Sequence, residues 1–411
     1  MKTKKVTILA ATFSGNKGAA AMLQSIILNL KSDVEFFNVL SVYPKEDRKQ
    51  NPHQNVRIIS AKPEEVIFIT FPLALLYYLV SWIKPLRKLL LKNKLLVGFY
   101  ETDLTVDAAG ISFVDSRGIV MNTYNFMCIA IPVLLGKEVV KFSQAMGPFD
   151  RFWNRTLAKI VLPKVTQICA RGEVTMGHLK SIGLNNIKLC ADGAFSMKDS
   201  DRAKMAIDNL IRSDEFYSKP IVSVSISSVV EKYCSKVGID YIGILAKFID
   251  YLIEEKKYGV LIISNAAREG KHGKKNNDLI VCQDVYDHVS NKAKCRYYSK
   301  EFTPEEIREM IGLSNILVAS RFHAMIGGLH ESVPVLLVGW SHKYKEVLDM
   351  FDLSKYASDY KNLNFEDLVK EFNRIEIDHE DIIKKIQKNL PQVKGSSYNN
   401  IEIIKDILRV Q

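Results

Sequence analysis

"KVTILAATFSGNKGAAAMLQSIILNL", Lys5 to Leu30, opens with an apolar run that does not alternate, passes through a glycine-bearing turn, and continues as a helix. A strand without a polar side is one buried on both faces. The theme recurs four times in the first half of the chain. "DLTVDAAG" leads through the loop "ISFVDSRG" to a helical run from Tyr124 to Leu135, and "KEVVKFSQAMG" leads to "PFDRFWNRTLAKIVLPKV". "QICARG" leads to "EVTMGHLKSIG", and "IKLCADGAFSM" closes the series. Short buried strands, each followed by a helix, predict a parallel sheet covered on both sides.

A polar, charge-mixed stretch over 198–219 reads as a linker, after which the theme restarts. "PIVSVSISS", "YGVLIISNAA", "CRYYSK", "ILVASRF" and "VPVLLVG" are strands, with helices between them over Gly238–Glu255, Asn277–Ser290 and from Pro304. The expected fold is α/β, with two Rossmann-like domains facing across a cleft at the carboxyl ends of their sheets. They cover 1–197 and 220–385, and an amphipathic helix over 386–411 is free to cross back onto the first domain.

A chain of 411 residues is too long for one ordinary core, and 47% hydrophobic with 25% charged residues is a globular composition. The formal net charge of +11 suits a nucleic acid, an anionic membrane or a phosphorylated substrate. Basic residues are not interleaved with aromatics in any nucleic-acid module, so no nucleic-acid partner is expected. Six scattered cysteines without a CxxC pair indicate a reducing cytoplasmic setting and no structural metal. The basic, apolar start resembles a signal peptide, but its apolar run is short and enters a glycine turn, so it reads as the first strand.

One segment departs from the theme. Val66 to Ile83 is eighteen residues without a charge, and "KPLRKLLLKNK" follows with Lys84, Arg87, Lys88, Lys92 and Lys94 and no acid. It is a core helix, a span, or a helix lying in a membrane interface. A span would leave one sheet on two sides of a bilayer. We therefore read about 64–95 as a membrane-associating insertion, apolar toward lipid and basic toward anionic headgroups.

Candidate site residues fall at strand ends. In "SGNKGAAAM" the turn around Asn16 and Gly18 sits before a helix, where backbone N–H groups favour a negative group, or where glycine serves backbone freedom alone. Asp107 ends a strand and Asp115 lies in the loop after it; each suits a substrate hydroxyl or a helix cap. Gln144 ends the next strand, and Arg171 a further one, where it either pairs with a carboxylate or binds an anion. Ser320, Arg321 and His323 lie at the end of "ILVAS", and His342 and Lys343 follow "VPVLLVG". Arginine offers a fork for phosphate or carboxylate, and histidine exchanges protons near neutral pH.

These motifs, in this order, resemble the polysaccharide pyruvyl transferase family: "GNKGAAAM", "FSQAMGPF", "ARGEVT", "ADGAF", "SRFHAMIGGL", "SVPVLLVG" and "WSHKYK". Two positions depart from the family pattern. Ala19 and Ala20 stand where many members carry an acid, and "ISNAARE", with Asn265, stands where many carry Pro-His. Both bear on which acceptor is bound. The resemblance implies a GT-B-like fold and transfer of pyruvate from phosphoenolpyruvate to two sugar hydroxyls as a ketal, without a metal or separate cofactor. It implies phosphoenolpyruvate held by Arg321, Lys343, Arg171, His342 and Ser320, and His323 as proton donor. Asp107, Asp115 or His342 would take the hydroxyl proton, and Asn16, Gly18 and Gln144 would face the acceptor. A polyprenyl-diphosphate-linked sugar at the inner face of the cell membrane would suit the insertion. A GT-B glycosyltransferase using a nucleotide sugar and a non-catalytic assembly component are the rival readings.

Overall fold

The computed structural model describes residues 4–212, 214–268, 277–339 and 342–410. The chain divides into two compact units, one of Met1–Ser14, Met22–Lys198 and Lys394–Gln411, the other of Gly15–Ala21 and Asp199–Val393.

The first unit is built on seven strands: β1 (Lys4–Leu9), β2 (Val34–Ser41), β3 (Val56–Ser60), β4 (Leu104–Asp107), β5 (Glu138–Gln144), β6 (Gln167–Arg171) and β7 (Ile187–Cys190). All pair in parallel, in the order β3-β2-β1-β4-β5-β6-β7. The second unit holds β8 (Ile221–Ile226), β9 (Gly259–Ser264), β10 (Cys295–Tyr297), β11 (Ile316–Ala319), β12 (Val335–Gly339) and β13 (Ala357–Asp359). These are also parallel, ordered β10-β9-β8-β11-β12-β13. Both sheets reverse direction beside their first strand, which is the doubly wound Rossmann pattern. Buried apolar pairs such as Ile8 with Val39 and Val106, and Val224 with Ile262 and Val318, explain why these strands lack a polar side.

Helix α1 (Lys17–Leu30) packs Met22, Ile26 and Ile27 on one face of the first sheet, against Val39, Val106 and Phe142. Between β3 and β4 the insertion forms α2 (Pro63–Val80), α3 (Lys84–Leu90) and α4 (Lys94–Tyr100). Leu95, Leu96 and Phe99 of α4 are fully buried on the opposite sheet face, beside Ile129 of α5 (Gly118–Leu134). Two further helices, α6 (Phe152–Val161) and α7 (Glu173–Ser181), complete the crossovers. At β5 the ladder is broken by a bulge at Ser143, whose φ of 47° is left-handed. The displaced Ser143 N–H donates to Asn400 Oδ1, and Ser143 Oγ accepts from Gly193 N. All six cysteines are free, and burial pushes Cys128 and Cys295 up to about 12, so they pack as small apolar groups.

Two boundaries differ from the sequence expectation. The stretch read as a linker holds α8 (Asp201–Ile211), which packs in the second unit against a later helix, Pro304–Gly312. Before it, Asp199 accepts from Arg308 Nη2 at 2.7 Å. The terminal helix is a single element over His379–Val410, starting before 386, and from Lys394 onward it belongs to the first unit. There Ile401, Ile404 and Leu408 join the cluster that α1 packs into.

Candidate functional site

In the second unit β11 lies between β8 and β12, so its chain leaves the sheet at the carboxyl edge and turns directly into a helix over Phe322–His330. Ser320 and Arg321 are the two residues of that turn. Ser320 is buried and its Oγ accepts from Tyr241 Oη at 2.8 Å. Tyr241 itself belongs to α9 (Tyr241–Glu254), and burial pushes its phenol above the ordinary value.

Arg321 is gripped by Asp278, the first residue of α10 (Asp278–His288). Its Nε donates to Asp278 Oδ2 at 2.8 Å and its Nη2 donates to Asp278 Oδ1 and to Ser228 Oγ. Asp278 is wholly buried and also accepts from Ser228 N at 2.9 Å and Ala266 N at 2.8 Å. Burial works against the charge of Arg321, but Asp278 more than offsets it, by charge and hydrogen bond, and holds the guanidinium above its ordinary pKa. The fork is thereby fixed in one plane, with Nη1 the nitrogen that has no partner among the described residues.

His323 is the second residue of its helix and lies against the start of α1. A Cβ placed on Gly18 would sit 1.9 Å from His323 Nδ1, closer than any two such atoms approach. The α1 start is itself tied down within the second unit. Gly15–Asn16 and Ala266–Ala267 form a short antiparallel bridge, and Lys17 N donates to Asn265 O at 3.0 Å. Lys17 Nζ pairs with Glu301 at 2.7 Å, and Asn16 Oδ1 accepts from Gly18 N at 3.1 Å. The expectation that this turn aims its N–H groups at a ligand therefore changes, since those of Lys17 and Gly18 are bonded within the protein. Asn16 acts as a cap, and Gly18 makes room for the histidine.

The first unit engages each of its candidates with partners inside the fold. Asp107 Oδ2 takes Lys141 Nζ at 2.5 Å and its Oδ1 takes Ala109 N, both side chains being buried. Gln144 Nε2 donates to the carbonyl of Asp107 at 2.7 Å and its Oε1 accepts from Ser112 Oγ, so both ends of the buried amide are engaged inside the unit. Asp115 accepts from Asp150 N, Arg151 N and Asn154 Nδ2, tying the loop before α6 to that helix's first turn without capping it. Arg171 pairs through Nη1 with Asp192 Oδ2 at 2.7 Å, so of its two alternatives the carboxylate partner is present. The side chains of His342 and Lys343 lie outside the described residues.

Sequence reasoning missed Asp278, Lys141 and Asp192, the partners that fix the candidates in place. Asp278 had a signal: an acid opening the helix that follows β9, on the same sheet edge as Arg321. His178 was also missed; its Nδ1 bonds to Met146 O at 3.1 Å beside the cis Gly147–Pro148 bond. What the second unit assembles is an imidazole and an oriented guanidinium at one helix start, where backbone N–H groups favour a negative group.

The family model described as polysaccharide pyruvyl transferase matches residues 16–342. Among solved structures, S. aureus MnaA in complex with UDP is similar with a TM-score of 0.61 and 12% identity, covering 100% of this chain and 98% of that one. The UDP-GlcNAc 2-epimerase from Neisseria meningitidis bound to UDP-GlcNAc gives 0.55 and 12% over 98% and 100%. Anabaena HepE with UDP and glucose gives 0.56 and 11% over 99% and 100%. At these identities the likeness is one of fold, two Rossmann-like domains of GT-B type.

Proposed function

Because the chain belongs to the polysaccharide pyruvyl transferase family, we propose that it moves the pyruvate unit of phosphoenolpyruvate onto two hydroxyls of a sugar as a ketal. The observation that supports this reading is Arg321, clamped by Asp278, beside His323 lodged on Gly18. Phosphoenolpyruvate carries a phosphate and a carboxylate on one small frame, and a fixed guanidinium with Lys343 would hold them. His323 would protonate the CH2 carbon, making C2 electrophilic as the first sugar hydroxyl adds to it. Attack by the second hydroxyl would close the ring and expel phosphate, so that phosphoenolpyruvate and a diol give a ketal and inorganic phosphate. Asp107 and Asp115, each with both oxygens bound inside the fold, are assigned structural work, which leaves His342 as the base in this reading. No cofactor beyond the donor is invoked. The acceptor we propose is a polyprenyl-diphosphate-linked sugar at the inner face of the cell membrane, in the synthesis of a cell-surface polysaccharide.

A thermal-shift panel with phosphoenolpyruvate and with UDP-, GDP- and CMP-sugars tests the donor. A ligand at about a hundred times its Kd adds about 2.7 kcal/mol to the native state, enough to see. Stabilisation by phosphoenolpyruvate that disappears in Arg321→Ala is expected. Stabilisation by a nucleotide sugar alone, with no phosphate released from phosphoenolpyruvate when lipid-linked sugars are added, would overturn the reading.

A further inference from the structure

From Val66 onward, past the acidic first turn of Glu64 and Glu65, helix α2 is apolar on both of its sides. Val66, Thr70, Ala74 and Tyr77, spaced as one helical face, are buried. Phe71 meets Phe126 of α5 edge-on at 6.3 Å, and Tyr77 meets Tyr100 of α4 at 5.9 Å. The opposite side is no more polar. Phe68 is 75% exposed, Leu79 67% and, just past the helix end, Trp82 80%, with Leu75 and Leu76 exposed between them. A surface helix normally turns a polar side to water; one that is apolar all round belongs in a core or in lipid. Single exposed apolar residues are ordinary, but a continuous stripe of them marks an interaction surface.

Charge indicates what covers the stripe. From Val66 to Tyr100 there is no acidic residue, and Lys84, Lys88 and Lys92 recur at four-residue spacing along α3 and the turn after it, all exposed. An apolar stripe edged by a basic row is complementary to an anionic bilayer, which offers acyl chains and phosphates at adjacent depths. A second copy of the chain fits less well, because a twofold contact brings the same basic row to both partners. Trp82 Nε1 already donates to Leu79 O at 3.2 Å, so its ring can enter an apolar phase without an unmet donor. Since α2 packs along α5, it lies against its unit and meets a membrane side-on.

We propose that the outer face of α2 and α3 docks on an anionic membrane, with Phe68, Leu75, Leu76, Leu79 and Trp82 at the headgroup–acyl boundary and the lysine row among lipid phosphates. This deepens the proposed function by giving a lipid-linked acceptor a surface on which it is met, and it rests on that function only in this respect.

The full-length protein is sedimented with vesicles of phosphatidylcholine, with and without phosphatidylglycerol. Binding to the anionic vesicles is expected, about tenfold weaker or more without phosphatidylglycerol, and weakened by salt. Leu79→Glu combined with Trp82→Ser, both at exposed sites, abolishes sedimentation while the melting temperature and the phosphoenolpyruvate shift are unchanged. Lys84→Glu with Lys88→Glu removes the preference for phosphatidylglycerol. Fluorescence of Trp82, read as the difference from Trp82→Phe, is quenched by brominated lipid. A wild type that stays in the supernatant with both vesicles overturns the proposal, as does a solution dimer that Leu79→Glu dissociates. Intact vesicle binding with no response to phosphoenolpyruvate would fault the chemistry alone.

Discussion

Gly18 and His323 share a space that admits hydrogen and nothing larger: a methyl group at 18 would overlap the imidazole, 1.9 Å from Nδ1 and 2.4 Å from Cε1. Gly18→Ala is therefore expected to swing His323 away while α1 itself tolerates alanine well. Turnover should fall by two orders of magnitude or more, about the contribution of a positioned proton donor, with the melting temperature within a few degrees of wild type. Unchanged turnover would show that the close contact carries no catalytic requirement.

His323→Ala and Arg321→Ala separate the two roles. The first is expected to abolish turnover and keep the phosphoenolpyruvate-induced thermal shift; the second is expected to lose the shift. Normal turnover in His323→Ala would remove it from the role of acid.

Asp278 is the positioning residue behind Arg321. Asp278→Ala leaves a buried guanidinium and the Ser228 and Ala266 amides without their acceptor, at a cost of about 3–5 kcal/mol. Asp278→Asn keeps the shape and one acceptor oxygen. For that variant KM for phosphoenolpyruvate should rise about tenfold or more, with kcat less affected, because Arg321 is no longer held flat. A variant that loses stability but keeps KM would limit Asp278 to architecture.

Asp115 is expected to behave as a structural acceptor. Asp115→Ala removes the partner of Asp150 N, Arg151 N and Asn154 Nδ2, which costs about 1–3 kcal/mol in a denaturant titration. Steady-state rates at low temperature should stay within about threefold of wild type, as for a residue remote from the reacting atoms. A collapse of turnover with unchanged stability would return Asp115 to the chemistry.

Arg296 donates to both oxygens of Asp214 and holds that carboxyl below its ordinary range. A depressed carboxylate adds stability above its unfolded pKa and loses it as pH falls through the lower folded value. The pair is partly exposed, so the effect is about 0.5–1 kcal/mol. Asp214→Asn should lower stability by that amount at neutral and alkaline pH, with the difference from wild type vanishing as pH falls through the folded pKa, so that the acid limb of the variant's curve is shallower. An identical acid limb in the variant would assign the pair no net contribution.

The strands were legible because double burial removes their polar positions, as in "KVTIL" and "PIVSV". Arg321 and His323 were legible because a buried strand must release its chain at the sheet edge. What defeated the sequence was pairing at a distance. Arg171 and Asp192 are 21 residues apart, and Arg321 and Asp278 are 43 apart, so nothing local distinguishes a ligand-seeking cation from one already matched. Helix α8 reads as a linker in the sequence because only Ala203 and Ile207 of its residues are buried, too narrow a stripe to register amid its charges. The insertion was open for a different reason: the composition of α2 is the same on its packed and exposed sides, so only the fold separates Tyr77 from Tyr78.

The long terminal helix has a consequence for the order in which the protein can be made. Ile401, Ile404 and Leu408 complete a cluster whose other members begin at Val6. Asn400 secures the bulge at Ser143, and its Nδ2 donates to Ala191 O. The first unit to leave the ribosome is thus the one that waits longest for its last pieces, while Gly15–Ala21, made almost at once, waits for partners translated hundreds of residues later. Nascent chains stalled before residue 394 should expose an incomplete first unit to proteases and chaperones, and neither half should be recoverable by cutting the gene in two.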